Sequence, residues 1–426
     1  MFEINKYVII SCFSVLSSLY AQNSKKNQNM VLNNYERLDL DNWKLVWQDE
    51  FDYSDKDLEK QWVSQNGPTG DFVICSRWRE NAEVINGVLE LKVKKEQKAG
   101  EDWTCGNVWT KATFGYGYFE ARYKYVACYG ANNSFWLWPK FRLPEGEKAC
   151  EVDINEGHFP NVINTNIHNW TDKDTAPNGK VTHESDQIHH TLTGEPVQEI
   201  KLEEAVTTKK LRLISNTPSS IQISEFRIFK RNMAFPNWEK ALGNKNINLA
   251  AQKDVKIITN GNNSGKLESK PNFATDNKME TRWVSKGNSG EKWIEFQWTA
   301  PQSINAIQFL NGCVQADGLC KNLITDYKIQ IWKNNTWEDI YEYDVSKTSN
   351  FGEEYHTYGL EWDEDYFKFY FDGKLYRKVR NKVCFSKTNI LLSLALLKQA
   401  YAGPVTDDLD GKSMKIDYVR YYKPNK

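Results

Sequence analysis

The stretch "YFKFYFDGKLYRKV", Tyr366–Val379, indicates the fold class of this 426-residue chain. Aromatic residues with interspersed lysines stand on both sides of Asp372-Gly373, and this short-period pattern is typical of half-buried β-strands. Asp-Gly between two such runs favours the positive φ angles of a tight hairpin turn. We therefore predict two antiparallel strands joined at this dipeptide.

The same pattern recurs along the chain, in segments that Gly, Asn and Asp bound. Examples are "GVLELKVKK" (Gly87–Lys95), "GYGYFEARYKYV" (Gly115–Val126) and "MKIDYVRYYK" (Met414–Lys423). Long amphipathic helices are scarce, and "NWEKALGN" is at most a short one. The sequence therefore predicts an all-β chain of sandwiches.

The charge balance and the aromatic content of the chain indicate which kinds of molecule it could bind. Lys plus Arg is 55 and Asp plus Glu is 56, so the chain lacks the basic excess that nucleic-acid binders carry. It contains 16 Trp, 21 Tyr and 20 Phe. Such residues fill ordinary β cores, and they also form flat platforms that stack on sugar rings. We expect most to be core and a minority to be platforms.

The first residues have the features of a secretory signal, with Lys6 before an apolar run too short to span a bilayer. We predict a signal peptide at 1–21, cleaved near Ala21, and a polar linker at 22–41. A lipobox ending at Cys12 is the alternative, but it leaves too little apolar sequence. No other long apolar run exists, so we expect a secreted or periplasmic monomer with no membrane span.

Seven cysteines remain after Cys12 is removed with the signal. No paired CxxC spacing suggests zinc. Cys313 and Cys320 flank a short polar loop and are candidates for a disulfide in an oxidising compartment. The odd count leaves at least one thiol free or paired between chains.

The segment "EVDINE" carries three acids, Glu151, Asp153 and Glu156. Residues i and i+2 of a strand share a face, so Glu151 and Asp153 point the same way. A β-bulge would bring Glu156 to that face, with Cα atoms of Glu151 and Glu156 roughly 13 Å apart. Inward-leaning side chains would then approach the spacing of about 5–5.5 Å that a retaining glycosidase needs. The alternative is an exposed strand with solvated acids.

Asp153, between the two glutamates, would assist them if they are the catalytic pair of a retaining glycosidase. We predict that it hydrogen-bonds Glu151, and that its charge helps to keep the acid/base partner protonated.

The chain resembles glycoside hydrolase family 16 over about 42–190 and 351–424. The resemblance lies in the acidic strand and in five flanking motifs: "WKLVWQDEFDYSD" (Trp43–Asp55), "WTKATFGYGYFEARYKY" (Trp109–Tyr125), "NNSFWLWP" (Asn132–Pro139), "YHTYGLEWDEDYFKFYFDG" (Tyr355–Gly373) and "IDYVRYY" (Ile416–Tyr422). It implies a jelly-roll β-sandwich with a sugar-binding cleft. It also implies that Glu151 is the nucleophile, Asp153 its helper and Glu156 the acid/base.

The resemblance also implies binding residues. Trp136 would be a sugar platform in the cleft and His168 would face the same cleft, although a strand Trp is often core and a His is often merely a satisfied polar residue. Trp78 and Trp103 lie in loop-like stretches that would rim the cleft. Arg77 and Arg79 would suit an anionic, sulfated sugar, unless they are surface charges.

A structural calcium ion is implied at Asp417, by its family position; no cofactor takes part in the expected chemistry.

The amino-acid composition changes between residues 191 and 350, where Lys, Asn and Thr are more frequent. We interpret this stretch as a domain inserted into a catalytic domain that spans 42–190 and 351–426. It resembles discoidin-type domains, which include family 32 carbohydrate-binding modules. "NLAAQKDV" (Asn248–Val255), "NFATDNKMETRWVS" (Asn272–Ser285) and "EKWIEFQWTAPQSINAIQFL" (Glu291–Leu310) resemble the start of such a domain, and "YKIQIWKNNTWEDI" (Tyr327–Ile340) resembles its middle.

The segment that resembles the end of that domain, Val206–Lys230, precedes its start. One circularly permuted domain explains this order, and two damaged half-domains are the alternative. The resemblance implies a calcium site around Asp276, Thr281 and Glu225. The insert would bind sugar, act as a spacer or extend the wall of the cleft.

Together these features predict a secreted, endo-acting, retaining hydrolase of a β-linked polysaccharide. Asn155 stands where related laminarinases more often have Met, and with Arg77 and Arg79 this favours a sulfated red-algal galactan of the carrageenan, porphyran or agar type. A laminarin-type β-1,3-glucanase, a transglycosylase and a non-catalytic sugar-binding protein on the same fold are the alternatives.

Overall fold

The computed structural model describes most of the chain beyond residue 35. The described residues are 36–70, 72–175, 181–186, 188–191, 197–217, 220–230, 235–236, 240–243, 247–262, 270–278, 280–287, 290–314, 320–321, 323–347, 349–398 and 402–425. The predicted signal peptide, and the predicted linker up to residue 35, lie outside them.

Sheet 1 of the described chain has ten strands, and it combines strands from both ends of the sequence. The path is β25-β24-β23-β8-β27-β5-β6-β3, with β1 on β27 and β4 on β5. These strands are β1 (Trp43–Asp49), β3 (Ser76–Arg77), β4 (Ala82–Ile85), β5 (Val88–Lys94), β6 (Thr104–Cys105), β8 (Gly117–Lys124), β23 (His356–Trp362), β24 (Tyr366–Phe371), β25 (Lys374–Arg380) and β27 (Ser413–Pro424).

The hairpin predicted at Tyr366–Val379 is confirmed in this sheet. Phe371 pairs with Lys374, and the two residues between them, Asp372 and Gly373, have φ angles of 47° and 71°. Both central residues of the turn thus have positive φ, which is what a type I′ hairpin requires.

Sheet 2 contains the acidic strand. Its described path is β12-β11-β10-β9-β26-β7-β2, with β13 on β11. These strands are β2 (Trp62–Ser64), β7 (Asn107–Thr110), β9 (Ala131–Trp138), β10 (Cys150–His158), β11 (Val162–Thr175), β12 (Val181–Ser185), β13 (Ile188–Thr191) and β26 (Asn389–Leu396).

Sheets 1 and 2 share one hydrophobic core. Phe119 and Tyr123 of β8 belong to the same buried cluster as Val152 and Ile154 of β10 and Leu392 of β26. Because alternate residues of a strand face opposite sides, the acids of β10 are turned away from this core. A β-sandwich therefore positions the acidic strand, with strands from before residue 191 and after residue 356 in both of its sheets.

Sheet 3 is formed by the stretch between these segments and has its own core. Its described path is β17-β15-β18-β14-β21-β22, with β16 on β18. These strands are β14 (Val197–Ser215), β15 (Gln222–Phe229), β16 (Lys256–Thr259), β17 (Trp283–Val284), β18 (Lys292–Asn311), β21 (Asp326–Lys333) and β22 (Thr336–Asp344). Two shorter strands, β19 (Cys313–Val314) and β20 (Cys320–Lys321), pair with each other.

The early strands of this stretch lie inside sheet 3. β14 pairs with β18 and β21, and β15 pairs with β18. Two separate half-domains would each need a sheet of their own, whereas here both stretches contribute to one sheet and one core. The strand order is therefore the one that a circular permutation requires.

The described helices are short 3₁₀ turns: Leu40–Asn42, Asp55–Lys60, Arg79–Asn81, Leu249–Ala251, Pro271–Ala274, Val345–Lys347 and Asp407–Leu409. None of the described helices is long and apolar enough to cross a membrane. The chain is all-β, as predicted.

One disulfide, Cys150–Cys384, was not expected from the sequence. It joins the start of β10 to the loop after β25, two segments that are 234 residues apart in sequence and therefore carry no local spacing signal. Cys75 and Cys105 are buried free thiols, and Cys128 is a half-buried one. The side chains of Cys313 and Cys320 lie outside the described residues, so their predicted disulfide stays a prediction.

Candidate active site

The acidic strand β10 contains the predicted bulge. Against β9, Asp153 pairs with Trp136 but Asn155 pairs with Phe135, so the register shifts between these positions. Two consecutive residues, Ile154 and Asn155, face the interior of the sandwich as a result. Glu156 is thereby turned back to the face that carries Glu151 and Asp153, which we call the acidic face of sheet 2.

Asn155 is fixed inside the sandwich by two tyrosines of the opposite sheet. Its side-chain Nδ2 donates to the hydroxyl of Tyr123 at 2.7 Å and to that of Tyr125 at 2.8 Å. Gly157 follows, and a Cβ at this residue would meet the ring of Tyr125 at 2.2 Å. The residue that the bulge displaces is therefore an anchor that holds the bulge in one conformation.

Glu151 has hydrogen-bond donors of its own on the neighbouring strand β11. The indole Nε1 of Trp170 donates to Glu151 Oε2 at 2.9 Å. His168 Nε2 lies 3.9 Å from Glu151 Oε1 and 3.5 Å from Asp153 Oδ2, and its ring stacks on Trp170 with centroids 5.3 Å apart. These contacts hold the Glu151 carboxylate in a fixed orientation.

Glu156 has a different set of partners. Asn132 Nδ2 donates to its Oε1 at 2.9 Å and Asn164 Nδ2 to its Oε2 at 3.3 Å. Both are neutral amides, so they stabilise a negative charge on Glu156 less than a cation would. The two glutamates are therefore held separately, in unequal surroundings.

The predicted hydrogen bond between Asp153 and Glu151 is wrong. Among the described residues, Asp153 Oδ2 has no hydrogen-bond partner, and this carboxylate lies almost fully buried between its neighbours. Asp153 acts on Glu151 through charge: burial first, and then the charge of Asp153, raise the pKa of Glu151 to about 8. Position and charge, not a direct bond, couple the two groups.

Burial raises the pKa of Asp153 and Glu156 as well, and the charge of Glu156 adds to the shift of Asp153. Three carboxyl groups that repel one another in a desolvated site do not all ionise at neutral pH. The cluster therefore retains a proton for acid catalysis.

A cation would also fit part of this cluster, since ligand atoms of Glu151, Asp153 and His168 lie within 4.8 Å of one another.

Side chains of β9, β26 and β7 extend the acidic face across sheet 2. Trp136 is the cross-strand partner of Asp153, and its Nε1 donates to Ser393 Oγ at 3.0 Å. Asn107 Nδ2 donates to the same oxygen at 2.9 Å. Trp136 is half-buried beside the acids, where a sugar platform would be needed.

Two predicted binding residues are placed elsewhere. Trp103 is 7% exposed and belongs to the core, so its assignment to a cleft rim is wrong. Arg79 forms ion pairs with Asp55 and Glu59 and donates to backbone oxygens, so its assignment to an anionic sugar is wrong. The two carboxylates neutralise the charge that would attract an anionic sugar.

The other two predicted residues of this region, Trp78 and Arg77, are neither core residues nor ion-paired with any residue that the structure describes. Lys98 covers one face of the Trp78 ring at 3.9 Å, which leaves at most one face for a sugar. The guanidinium of Arg77 has no acidic partner among the described residues.

The sequence matches two family models. Residues 72–251 match the model described as glycosyl hydrolases family 16, and residues 255–383 match the F5/8 type C domain. The chain carries a glycosyl hydrolase family 16 domain. The second match identifies a discoidin-like domain.

Relatives of the family 16 domain include a Beta-glucanase of Rhodothermus marinus, which is 33% identical over 139 residues, or 30% of this chain and 48% of that protein. A Kappa-carrageenase of Pseudoalteromonas carrageenovora is 28% identical over 149 residues, or 30% of this chain and 37% of that protein. The chain spans less than half of the length of each.

Among solved structures, the laminarinase catalytic domain of Thermotoga maritima aligns with a TM-score of 0.46 and 16% identity, over 90% of this chain and all of that one.

The boundaries of the two matches do not follow the sheets. The family 16 match runs through β14 and β15, which pair in sheet 3, and the F5/8 match runs through β23 and β24, which pair in sheet 1. A linear match cannot follow a chain that leaves one domain and later returns to it. The pairing of the strands is therefore the better guide to the extent of the family 16 domain.

The predicted calcium position in the family 16 domain does not fit. Asp417 forms an ion pair with Arg122, whose guanidinium occupies the place of a cation. The donor set in the discoidin-like domain fits better. Glu225 is buried, its Oε1 has no hydrogen bond among the described residues and lies 3.7 Å from Arg227 Nε, and Asp276 accepts from Thr281 at 2.8 Å. Carboxylate and hydroxyl oxygens of this kind are suited to Ca²⁺.

Sequence reasoning missed several residues of the family 16 site. Trp170 stands two residues after His168, so strand alternation alone would place it on the same face. Asn132, Asn164, Asn107 and Ser393 carry no such signal, because only the pairing of β9, β11, β7 and β26 brings them to the acids.

Proposed function

We propose that this protein is an endo-acting, retaining glycoside hydrolase of a β-linked polysaccharide. One observation carries the proposal: the bulge in β10 brings Glu156 to the face of Glu151 and Asp153, and each glutamate has its own set of donors. A retaining glycosidase needs two carboxyl groups of unequal protonation on one face. The match to the family 16 model supports the same assignment.

In the first step the Glu151 carboxylate attacks the anomeric carbon, and Glu156 donates its proton to the departing glycosidic oxygen. Trp170 donates to Glu151 Oε2, so Oε1 is the oxygen left to attack. His168, stacked on Trp170, fixes the direction of that donor. A covalent glycosyl-enzyme and a shortened chain with a free hydroxyl result.

In the second step Glu156, now ionised, removes a proton from water, and the hydroxide attacks the anomeric carbon from the opposite side to Glu151. Glu151 leaves as a carboxylate and Glu156 is again protonated. Asp153 repels negative charge on both glutamates, which favours return of the proton to the cluster. Two inversions give net retention.

For the substrate we propose a sulfated red-algal galactan, with a laminarin-type β-1,3-glucan as the alternative. The Kappa-carrageenase relative supports the first and the Beta-glucanase relative the second. Arg77 favours the first, since its charge has no partner among the described residues. A protein exported from the cell would meet either polymer.

The test is hydrolysis of a panel of carrageenan, porphyran, agarose and laminarin by the purified protein, with reducing ends and product sizes measured. We expect internal cleavage of at least one polymer, and loss of at least about 1,000-fold in kcat for Glu151→Gln and Glu156→Gln. Glu353→Gln, an exposed glutamate on a loop, is the control and should retain full activity.

Azide separates the two roles. With Glu156→Ala it should restore turnover and give a glycosyl azide of retained configuration, and with Glu151→Ala one of inverted configuration. Near-normal hydrolysis by Glu156→Gln would refute the assignment. Binding without any cleavage by the wild-type protein would favour the non-catalytic alternative, and transfer to an added acceptor in preference to water would favour a transglycosylase.

A further inference from the structure

The side chain of Arg77 differs from that of Arg79 in its surroundings. Among the described residues its guanidinium makes no hydrogen bond, ion pair or ring contact, and its Nε is a buried donor left unsatisfied. Burial lowers the pKa of Arg77, and the described groups that oppose this are the thiols of Cys75 and Cys105, not a carboxylate. A half-buried cation in this state carries an electrostatic cost that an anion would relieve.

The neighbouring Arg79 also has a buried Nε without a hydrogen bond among the described residues, but carboxylates neutralise its charge. Arg79 Nη2 meets Asp55 Oδ2 at 3.1 Å and Asp55 O at 2.9 Å, and its Nε lies 3.4 Å from Glu59. Arg77 ends β3, and Arg79 begins the 3₁₀ turn that follows. Of these two guanidiniums, that of Arg77 is the one without a carboxylate partner among the described residues.

A second cation lies close to Arg77. The ammonium of Lys140 is 4.5 Å from the ring centroid of Trp109, and its backbone N–H donates to Asn389. Burial, and then the charge of Arg77, lower the pKa of Lys140. Among the described residues Lys140 has no acidic partner, so two like charges stand together without neutralisation.

This pair adjoins the acidic face of sheet 2. Trp109 of β7 is the cross-strand partner of Leu391 of β26, which in turn pairs with Trp136 of β9. The half-buried indole of Trp109, with Lys140 over its ring, thus lies on the continuation of the face that carries the acids.

We propose that Arg77 and Lys140 bind an anionic oxoacid substituent, a sulfate ester or a carboxylate, on a sugar unit that stacks on Trp109. The guanidinium offers a planar pair of donors to two oxygens of the substituent, and the ammonium offers a point charge to a third. This subsite would make the enzyme select charged chains. The inference rests on the proposed function for the identity of the ligand as a polysaccharide.

The test uses binding, so that it does not depend on turnover. Glu151→Gln is titrated calorimetrically with carrageenan oligosaccharides, with the same oligosaccharides after desulfation, and with a uronate-containing oligosaccharide. We expect Arg77→Gln or Lys140→Gln, each added to Glu151→Gln, to raise Kd for the sulfated ligand about 10- to 100-fold and for the desulfated one less than twofold. The uronate arm decides between sulfate and carboxylate.

Lys44→Gln is the matched control, because Lys44 is exposed on β1 and its substitution removes the same single positive charge. Lys140 is also exposed, so its variant tests the subsite even if Arg77→Gln fails to fold. Equal losses for the sulfated and desulfated ligands, or no loss for either, would overturn the inference. If the wild type and Arg77→Gln cut laminarin equally well, the proposed hydrolase function stands and the anion subsite is refuted. If the protein binds the sulfated ligand selectively but cleaves no polymer, the subsite stands and the hydrolase function is refuted.

Discussion

Trp170 donates its indole N–H to Glu151 across two adjacent strands, at 2.9 Å, and its ring is stacked on His168. A donor to a carboxylate favours the ionised form, which is the form that a nucleophile needs. Glu151 is buried next to Asp153, and both features oppose ionisation. The bond from Trp170 therefore compensates for part of the cost of placing three acids on one face.

Replacing Trp170 by Phe should raise the pKa of Glu151 further and move the acidic limb of the pH profile of kcat/KM to higher pH. We expect about a tenfold loss of kcat/KM on that limb and a smaller loss at high pH, where Glu151 is ionised regardless. Trp47→Phe removes an indole donor to Gln61 and serves as the control. A uniform loss at every pH would mean that Trp170 only packs.

The anchor of the bulge should be visible in stability measurements. Asn155→Leu leaves the buried hydroxyls of Tyr123 and Tyr125 without this donor, and we expect a loss of about 2–4 kcal/mol in the free energy of unfolding, measured with urea. The triple variant with Tyr123→Phe and Tyr125→Phe should recover part of that loss, since it also removes the two hydroxyls to which Asn155 donates. No recovery would show that shape rather than hydrogen bonding holds Asn155.

The buried acids should make stability fall as pH rises. The pKa of Glu151 is about 8 in the folded protein against an ordinary value of 4.5, so between these values the folded state holds a proton that the unfolded state has lost. Stability then decreases with pH by up to about 1.4 kcal/mol per unit. Glu151→Gln removes the contribution of this group, and its Tm should exceed that of the wild type by more at pH 8 than at pH 5.

The control for this linkage is Glu353→Gln, whose exposed carboxyl should leave the pH dependence of Tm unchanged. A Tm difference between Glu151→Gln and the wild type that is constant with pH would contradict the raised pKa.

Calcium should stabilise the discoidin-like domain through Glu225. Burial raises the pKa of Glu225 to about 7, so a cation that replaces the proton should bind more tightly as pH rises. Adding CaCl₂ to protein freed of metal should raise Tm at pH 8 by several degrees, with the gain growing with concentration. Glu225→Gln should abolish the gain, Asp417→Asn should preserve it, and equal gains in all three proteins would indicate a nonspecific salt effect.

The sequence predicted local features well because each depends on neighbours in the chain. Asp372-Gly373 predicted its turn, since few dipeptides adopt positive φ at both positions. The out-of-step Glu156 predicted a bulge, since strand alternation admits few other ways to group it with Glu151. The errors at Trp103 and Arg79 arose because burial and ion pairing depend on distant segments.

The sequence by itself determined the all-β class, the hairpins and the grouping of three acids on one strand, because alternation and turn chemistry act over a few residues. The tertiary structure decided which groups surround those acids. Trp170, Asn132 and Asn155 acquire their roles only when strands far apart in sequence pair or pack together. The difference in surroundings between Glu151 and Glu156 is therefore a property of the fold, since desolvation and charge at a carboxyl group depend on everything packed around it.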